Sequence, residues 1–369
     1  MKSQKAVHIL HSIEFSGAEI MLYQASDIFR KNHINVTLLA CELRKGKFEL
    51  QMLEKGYAID SVGSNGKIAS MLRFYRYFRK AKFDIVHIHT EDMYLWKVIA
   101  LRLTGHQNIV RSYHNNWTFK GWVRLKRTFH RRLASLLGVK GHAIGAAVEA
   151  NERKLFRNPT TIINNWISLN PKLLSEREQV RAAKRRELNI PEETFVLISI
   201  GGCSPIKNHN FIIDLIPQLR QNNGLNVYYL HVGTGADENT EKSKAAALGP
   251  HSNIYFKGNR KDIPELLMAA DVYLMPSLFE GLSIALLEAM YYNGLVIVND
   301  APGLNNMVIH ETNGYVIDVS NIQAYTTLLK KIAQGEIDTS VTKAAAREFV
   351  KKNFSMDKNA EELVRFYNL

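Results

Sequence analysis

The chain has 369 residues, 46% of them hydrophobic and 22% charged, with two cysteines and a formal net charge of +13. That length exceeds one ordinary core and suits two domains of roughly 150 to 200 residues; the composition excludes a disordered or fibrous chain, and Cys41 and Cys203 are too few for a disulfide framework. Residues 1–170 carry 27 Lys and Arg against 12 Asp and Glu, the rest 21 against 23, so the basic first half points to an anionic partner: nucleic acid, lipid surface or phosphorylated substrate. The polar start and the lack of long apolar runs lead to the expectation of a chain without signal peptide or membrane span, in a reducing cytoplasm.

In chain order, residues 7–11 read as a buried strand. Ser16-Gly17-Ala18-Glu19 reads as a capping box, with Ser16 as N-cap and Glu19 at N3, opening a helix over 18–30. Gly17 would let a ligand approach that helix end, whose free N–H groups favour anions. Strands are expected at 36–40, 58–60 and 84–89. The last carries His87 and His89 on one face and apolar residues on both, so it reads as doubly buried. Packing is the plain account of these histidines, and no zinc-like spacing accompanies them, so no metal is expected.

Residues 71–82 mix Phe74, Tyr75, Tyr77 and Phe78 with Arg73, Arg76, Arg79 and Lys80. A second basic cluster at 120–132 holds Arg124, Lys126 and Arg127, near Trp117 and Trp122. As helices these are basic and amphipathic, the composition of a segment lying on an anionic membrane. Aromatic-basic mixtures also bind single-stranded nucleic acid. No helix-turn-helix, zinc or RNA-binding signature is present, so nucleic acid is not expected as a partner. A strand at 108–113 ends in His114, where Asn115 and Asn116 supply polar neighbours for a histidine reaching toward a ligand. Strands at 143–148 and 161–163 close this half, ahead of Asn164-Asn165-Trp166-Ile167.

After a linker within residues 165–192, a strand at 194–200 runs into Gly201-Gly202-Cys203-Ser204-Pro205-Ile206-Lys207-Asn208. The glycines free the turn, and Lys207 near a helix start suits a phosphate. The spacing is neither Walker A nor Gly-x-Gly-x-x-Gly. A strand at 227–232 ends in Gly233-Thr234-Gly235, and one at 253–256 leads to Lys257-Gly258-Asn259-Arg260. The strand at 272–275 enters PSLFEGLSIALLEAMYYNG, residues 276–294, followed by a strand at 296–298. With a helix starting near Ser283, Ile284, Leu287 and Tyr291 form an inward stripe, and Glu288 falls on it at i+4. A lone carboxylate there is costly unless hydrogen-bonded. Glu280 stands at the strand's carboxyl end, where open α/β sheets place ligands. Two acceptor-only groups at such a mouth suit the hydroxyls of a ribose and a hexose. A turn at Pro302-Gly303, a strand at 314–317 and an amphipathic helix at 356–367 complete the chain.

Glu280 to Glu288, with Gly281 and Ala289-Met290, resembles the E-x7-E signature of retaining glycosyltransferases, most closely glycosyltransferase family 4. The resemblance implies an α/β GT-B fold: two Rossmann-like parallel-sheet domains facing a central cleft, at 1–168 and 169–352, with a final helix at 353–369 crossing back to the first. It implies transfer of a hexose-type sugar, UDP-linked by preference, to a glycan or lipid-diphosphate-linked acceptor in polysaccharide or glycolipid assembly. Neither metal nor other cofactor is required, and the place of work is the inner face of the plasma membrane. His114, Lys207 and Glu280 take the catalytic roles. The donor is held by Gly17, Gly202, Lys207, Gly233, Arg260, Glu280, Gly281, Leu282, Ser283 and Glu288, with Glu288 on the ribose and Glu280 on the sugar. Arg73, Arg76, Arg79, Lys80, Arg124, Lys126 and Arg127 form the membrane or acceptor surface. Ser16, Trp166 and Gly202 depart from the pattern: family members have glycine at the first two positions and a phosphate-binding Arg at the third. An epimerase or hydrolase on the same fold, or a non-catalytic sugar-nucleotide- or nucleic-acid-binding protein, are the competing readings.

Overall fold

The computed structural model describes residues 3–43, 46–114, 118–221, 224–249 and 252–369; Asn115, Asn116 and Trp117 fall outside them. The chain forms two compact units, residues 1–168 with 354–369, and residues 169–353. Each is a parallel sheet with helices between its strands, so the chain has the two Rossmann-like domains of the GT-B class.

In the first unit the strands are β1 (Gln4–Leu10), β2 (Ile34–Ala40), β3 (Ala58–Ser61), β4 (Ile85–Ile88), β5 (Ile109–Tyr113), β6 (Lys140–Ala143) and β7 (Thr161–Ile162), in the order β3-β2-β1-β4-β5-β6-β7. β4 is buried at every position, as its two-sided apolar pattern requires. The expected strand at 143–148 is an error of register. The Ala-rich run AIGAAV suits either strand or helix, and Gly145 divides it, ending β6 before the helix Ala146–Phe156. The capping box also differs. Ser16 is the N-cap of Gly17–Lys31, but its hydroxyl donates to the Glu19 carboxylate and its N–H to Glu14 O, 2.9 Å, so Ser16 caps no helix N–H. Trp166 is buried and its indole donates to Met21 O, 3.2 Å, anchoring the end of this unit where the resemblance would place a glycine. The last helix, Met356–Tyr367, belongs to this unit and buries Leu363, Val364, Phe366 and Tyr367.

The second unit has β8 (Phe195–Ile200), β9 (Val227–Val232), β10 (Ile254–Phe256), β11 (Val272–Met275), β12 (Val296–Val298) and β13 (Tyr315–Val316), in the order β10-β9-β8-β11-β12-β13. Its core joins Leu197, Tyr229, Val272, Leu274 and Ile297 to Ile212, Leu215, Ile216 and Leu219 of the helix His209–Gln221. In both units the strand order reverses once, between β1 and β4 and between β8 and β11. The loops that leave the carboxyl ends of those strands diverge there and open a crevice.

Candidate active site

In the second unit the loops after β8 and β11 meet at the switch point. Leu278 donates its N–H to Ile206 O, 2.8 Å, and Asn208 donates its amide to Pro276 O, 3.3 Å, so the two turns are stitched together. That brings Lys207 Nζ to 2.7 Å from Glu280 Oε1, an ion pair in which Glu280 is 8% exposed. Glu280 N–H donates to Pro302 O, 3.1 Å. The approach relies on Gly303 at φ +91, where a Cβ would stand 2.1 Å from Glu280 O. Gly233, at φ +139, packs so tightly under the β8 turn that a Cβ would lie 1.9 Å from Gly201 O. Gly202 is exposed beside it.

The helix after Glu280 starts with Ser283 as N-cap, its hydroxyl accepting from Leu286 N–H, 3.3 Å. It runs as an α-helix over Ile284–Glu288 and widens into a π-helix over Ala289–Asn293, an irregularity frequent at functional sites. Ile284, Leu287 and Tyr291 face inward as expected, and Leu286 and Met290 are buried too. Glu288 sits between them, partly exposed, with no hydrogen bond or salt bridge to any described residue, and burial alone lifts its carboxyl to about 7. The backbone N–H groups of Gly281, Leu282 and Ser283 likewise meet no acceptor among the described residues. The strand end thus offers a salt-bridged carboxylate, a cation, an unpartnered carboxyl group and free N–H donors. These groups match the alternating charge of a diphosphate flanked by polyols.

Arg260 does not fit the expectation of a free donor contact. Its guanidinium is bound to Asp262 at 2.6 Å and to Glu187 at 3.3 Å, and Asp262 is also held by Lys184 at 2.8 Å. These pairs use Nε and Nη2, so a donor contact by Arg260 would fall to Nη1.

In the first unit His114 ends a chain of hydrogen bonds. From His142, contacts run to Ser112 (2.6 Å), His87 (2.5 Å), the Tyr367 hydroxyl (2.7 Å), His8 (3.3 Å), His89 (3.0 Å) and His114 Nε2 (3.0 Å). Parallel pairing sets His8 opposite His87 on β1 and β4, a juxtaposition that spacing along the sequence cannot show. Burial, with the neighbouring histidines, lowers His8 and His114 to about 3 and His142 to about 4, and drops His87 and His89 well below their ordinary range. All five are therefore neutral at neutral pH, and His8, His87 and His89 each use both ring nitrogens in the chain. The ring nitrogens of His8, His87 and His89 also lie close enough to share a cation, but each is already engaged in this chain.

Beside His114 lie ionic residues that the sequence reading missed. Arg111, 1% exposed, pairs with Glu91 at 2.7 Å, and Arg131 pairs with Glu152 at 2.7 Å. Together with Tyr113 and Phe119 they line a small cavity of 40 Å³ that includes His89 and His114. An arginine inside an apolar strand is the one signal that could have exposed them. The larger surface groove of 740 Å³ lies elsewhere, at the amino ends of β1 to β3.

The two basic helices differ from expectation in opposite ways. In Lys67–Lys80, Phe74 and Phe78 turn into the core and Tyr77 donates to Asp60, 2.6 Å; the mixture of aromatics and cations is a core face and a solvent face. Arg73 donates to Gly63 O, 2.7 Å, while Arg76, Arg79 and Lys80 remain outward. In Gly121–Leu136 the apolar residues themselves face out. Trp122 is 77% exposed, Leu136 84%, and Leu125 and Phe129 lie exposed between them, beside exposed Arg124, Lys126 and Arg132. Arg127 leaves that set, because it turns inward to Glu91 at 2.9 Å. Among the described residues no helix is long and apolar enough to cross a membrane.

Two family models match the chain: Glycosyltransferase Family 4 over residues 15–168 and Glycosyl transferases group 1 over 180–349. Curated relatives include the UDP-Gal:alpha-D-GlcNAc-diphosphoundecaprenol alpha-1,3-galactosyltransferase of Escherichia coli, 23% identical over 81% of this chain and 78% of the relative. The putative glycosyltransferase EpsF of Bacillus subtilis is 26% identical over 81% of this chain and 80% of its own. Among solved structures, Anabaena HepE in complex with UDP and glucose superposes with TM-score 0.80 at 17% identity, covering 99% of both chains. WaaG, a glycosyltransferase involved in lipopolysaccharide biosynthesis, superposes with TM-score 0.71 over 97% of this chain and 98% of its own, also at 17% identity.

Proposed function

The chain belongs to the family 4-like glycosyltransferases of GT-B fold, and from that premise we propose that it is a retaining enzyme moving a hexose from a UDP-sugar to a lipid-diphosphate-linked glycan. The observation that carries the reading is the pairing of Lys207 with Glu280 beside an unpartnered Glu288. Glu288 accepts from the ribose hydroxyls, whose donors supply what its buried carboxylate lacks. Glu280 accepts from the sugar, and Lys207 turns toward the diphosphate. As the bond from the anomeric carbon to the diphosphate breaks, charge gathers on the leaving oxygen; Lys207 and the N–H groups of Gly281 to Ser283 oppose it. The acceptor hydroxyl attacks the same face and passes its proton to the departing diphosphate oxygen. His114, fixed through Nε2, presents its other nitrogen to a sugar hydroxyl. Gly17 and Gly202 leave the backbone open to the donor, Gly233 lets the turn after the first strand of this unit pack closely against it, and no step requires a metal.

UDP-bound neighbours support the choice of donor, and the diphosphoundecaprenol substrate named for the E. coli relative supports the acceptor class and a part in polysaccharide or glycolipid assembly. The outward stripe Trp122, Leu125, Phe129 and Leu136, flanked by Arg124, Lys126 and Arg132, suits a helix lying on an anionic inner leaflet. On this reading the enzyme works at the cytoplasmic face as a peripheral protein. A thermal-shift screen of UDP-, GDP- and ADP-sugars tests the donor, with UDP-sugars expected to raise Tm most. Incubation of the stabilising donor with a lipid-diphosphate-linked sugar should yield an α-linked product from an α-linked donor. A β-linked product, or free sugar alone, would sink the proposal.

A further inference from the structure

Under the β8 turn, four side chains of metal-ligating type converge from four elements of the second unit. Cys203 comes from the turn, His209 from the start of its helix, His231 from β9, and Glu241 from the helix Glu238–Ala247. All four are at most 3% exposed, and one ligating atom of each lies within 4.8 Å of the other three. Cys203 Sγ is 3.2 Å from His231 Nε2, and His209 Nδ1 is 3.3 Å from Glu241 Oε1. The edges of a zinc tetrahedron, taken from its usual bond lengths, run roughly 3.2 to 3.8 Å. The remaining pairs lie within 4.8 Å, so each would have to close by at most about 1.6 Å to complete one.

Two observations separate this cluster from an ordinary buried network. The second oxygen of Glu241, Oε2, is buried with no hydrogen-bond partner among the described residues, although a carboxylate oxygen sealed from water is costly to leave unpaired. A hydrogen-bonded account satisfies Oε1 and leaves Oε2 unexplained; a cation accounts for both. The second concerns His231, which points Nε2 toward the cluster while Nδ1 meets Ser199 Oγ at 3.1 Å, itself 2.6 Å from the Tyr229 hydroxyl. Metal-bound histidines are oriented by such a contact on the far ring nitrogen.

We propose that Cys203, His209, His231 and Glu241 form a closed, structural zinc site beneath the donor-side turn. Three ligand types, S, N and O, in a compact set of four favour Zn2+ over Ca2+ or Mg2+. With all four positions taken by protein and none open, the ion would not activate water. Its effect would be mechanical. Cys203 follows Gly202 and precedes Lys207 by four residues, so the ion would tie this turn to β9 and to the helix after it. The site stands independently of any donor assignment.

The test is metal analysis of the full chain, purified without a polyhistidine tag and under reducing conditions. The expected result is one zinc per chain, lost in Cys203→Ser and in Glu241→Gln. Cobalt exchange into the wild type should give the intense thiolate-to-cobalt absorption and the visible bands of a tetrahedral ion, a readout that does not depend on how the variants fold. Zinc retained in a folded Cys203→Ser protein would overturn the proposal. So would a wild type that neither contains zinc nor develops those bands when titrated with cobalt.

Discussion

The two units share one topology and treat charge at the same place in opposite ways. Where the first sheet reverses, five neutral histidines pass hydrogen bonds among themselves, and the nearby arginines are matched by Glu91 and Glu152. Where the second reverses, the Glu288 carboxyl group meets no partner and the N–H groups of Gly281 to Ser283 meet no acceptor among the described residues. The first edge satisfies most of its polar groups internally, while the second keeps a carboxyl group and backbone donors open to a ligand.

The sharpest way to break that contrast is at Glu288. If its carboxylate is held unsatisfied for the ribose, Glu288→Gln should cut turnover by about 100-fold or more, on the scale of losing a buried charged hydrogen bond. The apoprotein should respond in the opposite direction. A carboxyl held near 7 in the fold and about 4.5 when unfolded destabilises the native state increasingly as pH rises from 4.5 through 7. At pH 8 the glutamine variant should therefore melt about 2 to 4 °C higher than the wild type. A variant less stable than wild type at pH 8 would show that Glu288 is a structural acid after all.

Lys207→Met should come next, at about 10- to 100-fold in kcat with a smaller change in KM, because its charge matters most when the diphosphate leaves. An equal loss in substrate binding alone would assign Lys207 to holding Glu280 in place.

The first unit should show its character in pH. Its five histidines have folded pKa values below the unfolded 6.5, so their contribution to stability is complete above 6.5 and is lost as pH falls toward 4. Between pH 6.5 and 5, above the range where ordinary carboxylates titrate, Tm should fall with an uptake of more than one proton on unfolding. A flat Tm over that interval would mean the chain is already protonated.

Much of this was legible in the sequence, and the misses share a cause. β9, β11, β12 and the last helix fall where their apolar patterns end, because period and burial coincide there. Glu280, Glu288 and Lys207 stand out in the sequence because they interrupt apolar or glycine-rich runs. Cys203, His209, His231 and Glu241 are spread over 39 positions, and only the pairing of β8 with β9 makes them neighbours. His8 met His87 in the same way. Lys67–Lys80 is ambiguous for a related reason: its alternating aromatics and cations fit a membrane face as well as a core face, and the packing of Phe74 and Phe78 on the sheet assigns only the aromatics to the core.

The smallest expected effect tests how far the histidine chain reaches. A neutral imidazole that accepts at one nitrogen must donate at the other, so the tautomer at His142 constrains the one at His114 through every link between them. His142 Nδ1 has no partner, so this end of the chain is not pinned by a contact beyond it. His142→Asn keeps a short polar group near Ser112 but removes the ring that sets the direction. Turnover should drop less than about tenfold, as for a group acting through others. A purely structural role would lower Tm and leave the His114 ring unchanged, whereas a directional chain should shift its nitrogen-15 resonances toward the other tautomer. If those resonances match the wild type while the fold is intact, His114 takes its orientation from His89 alone and the longer chain has no part in it.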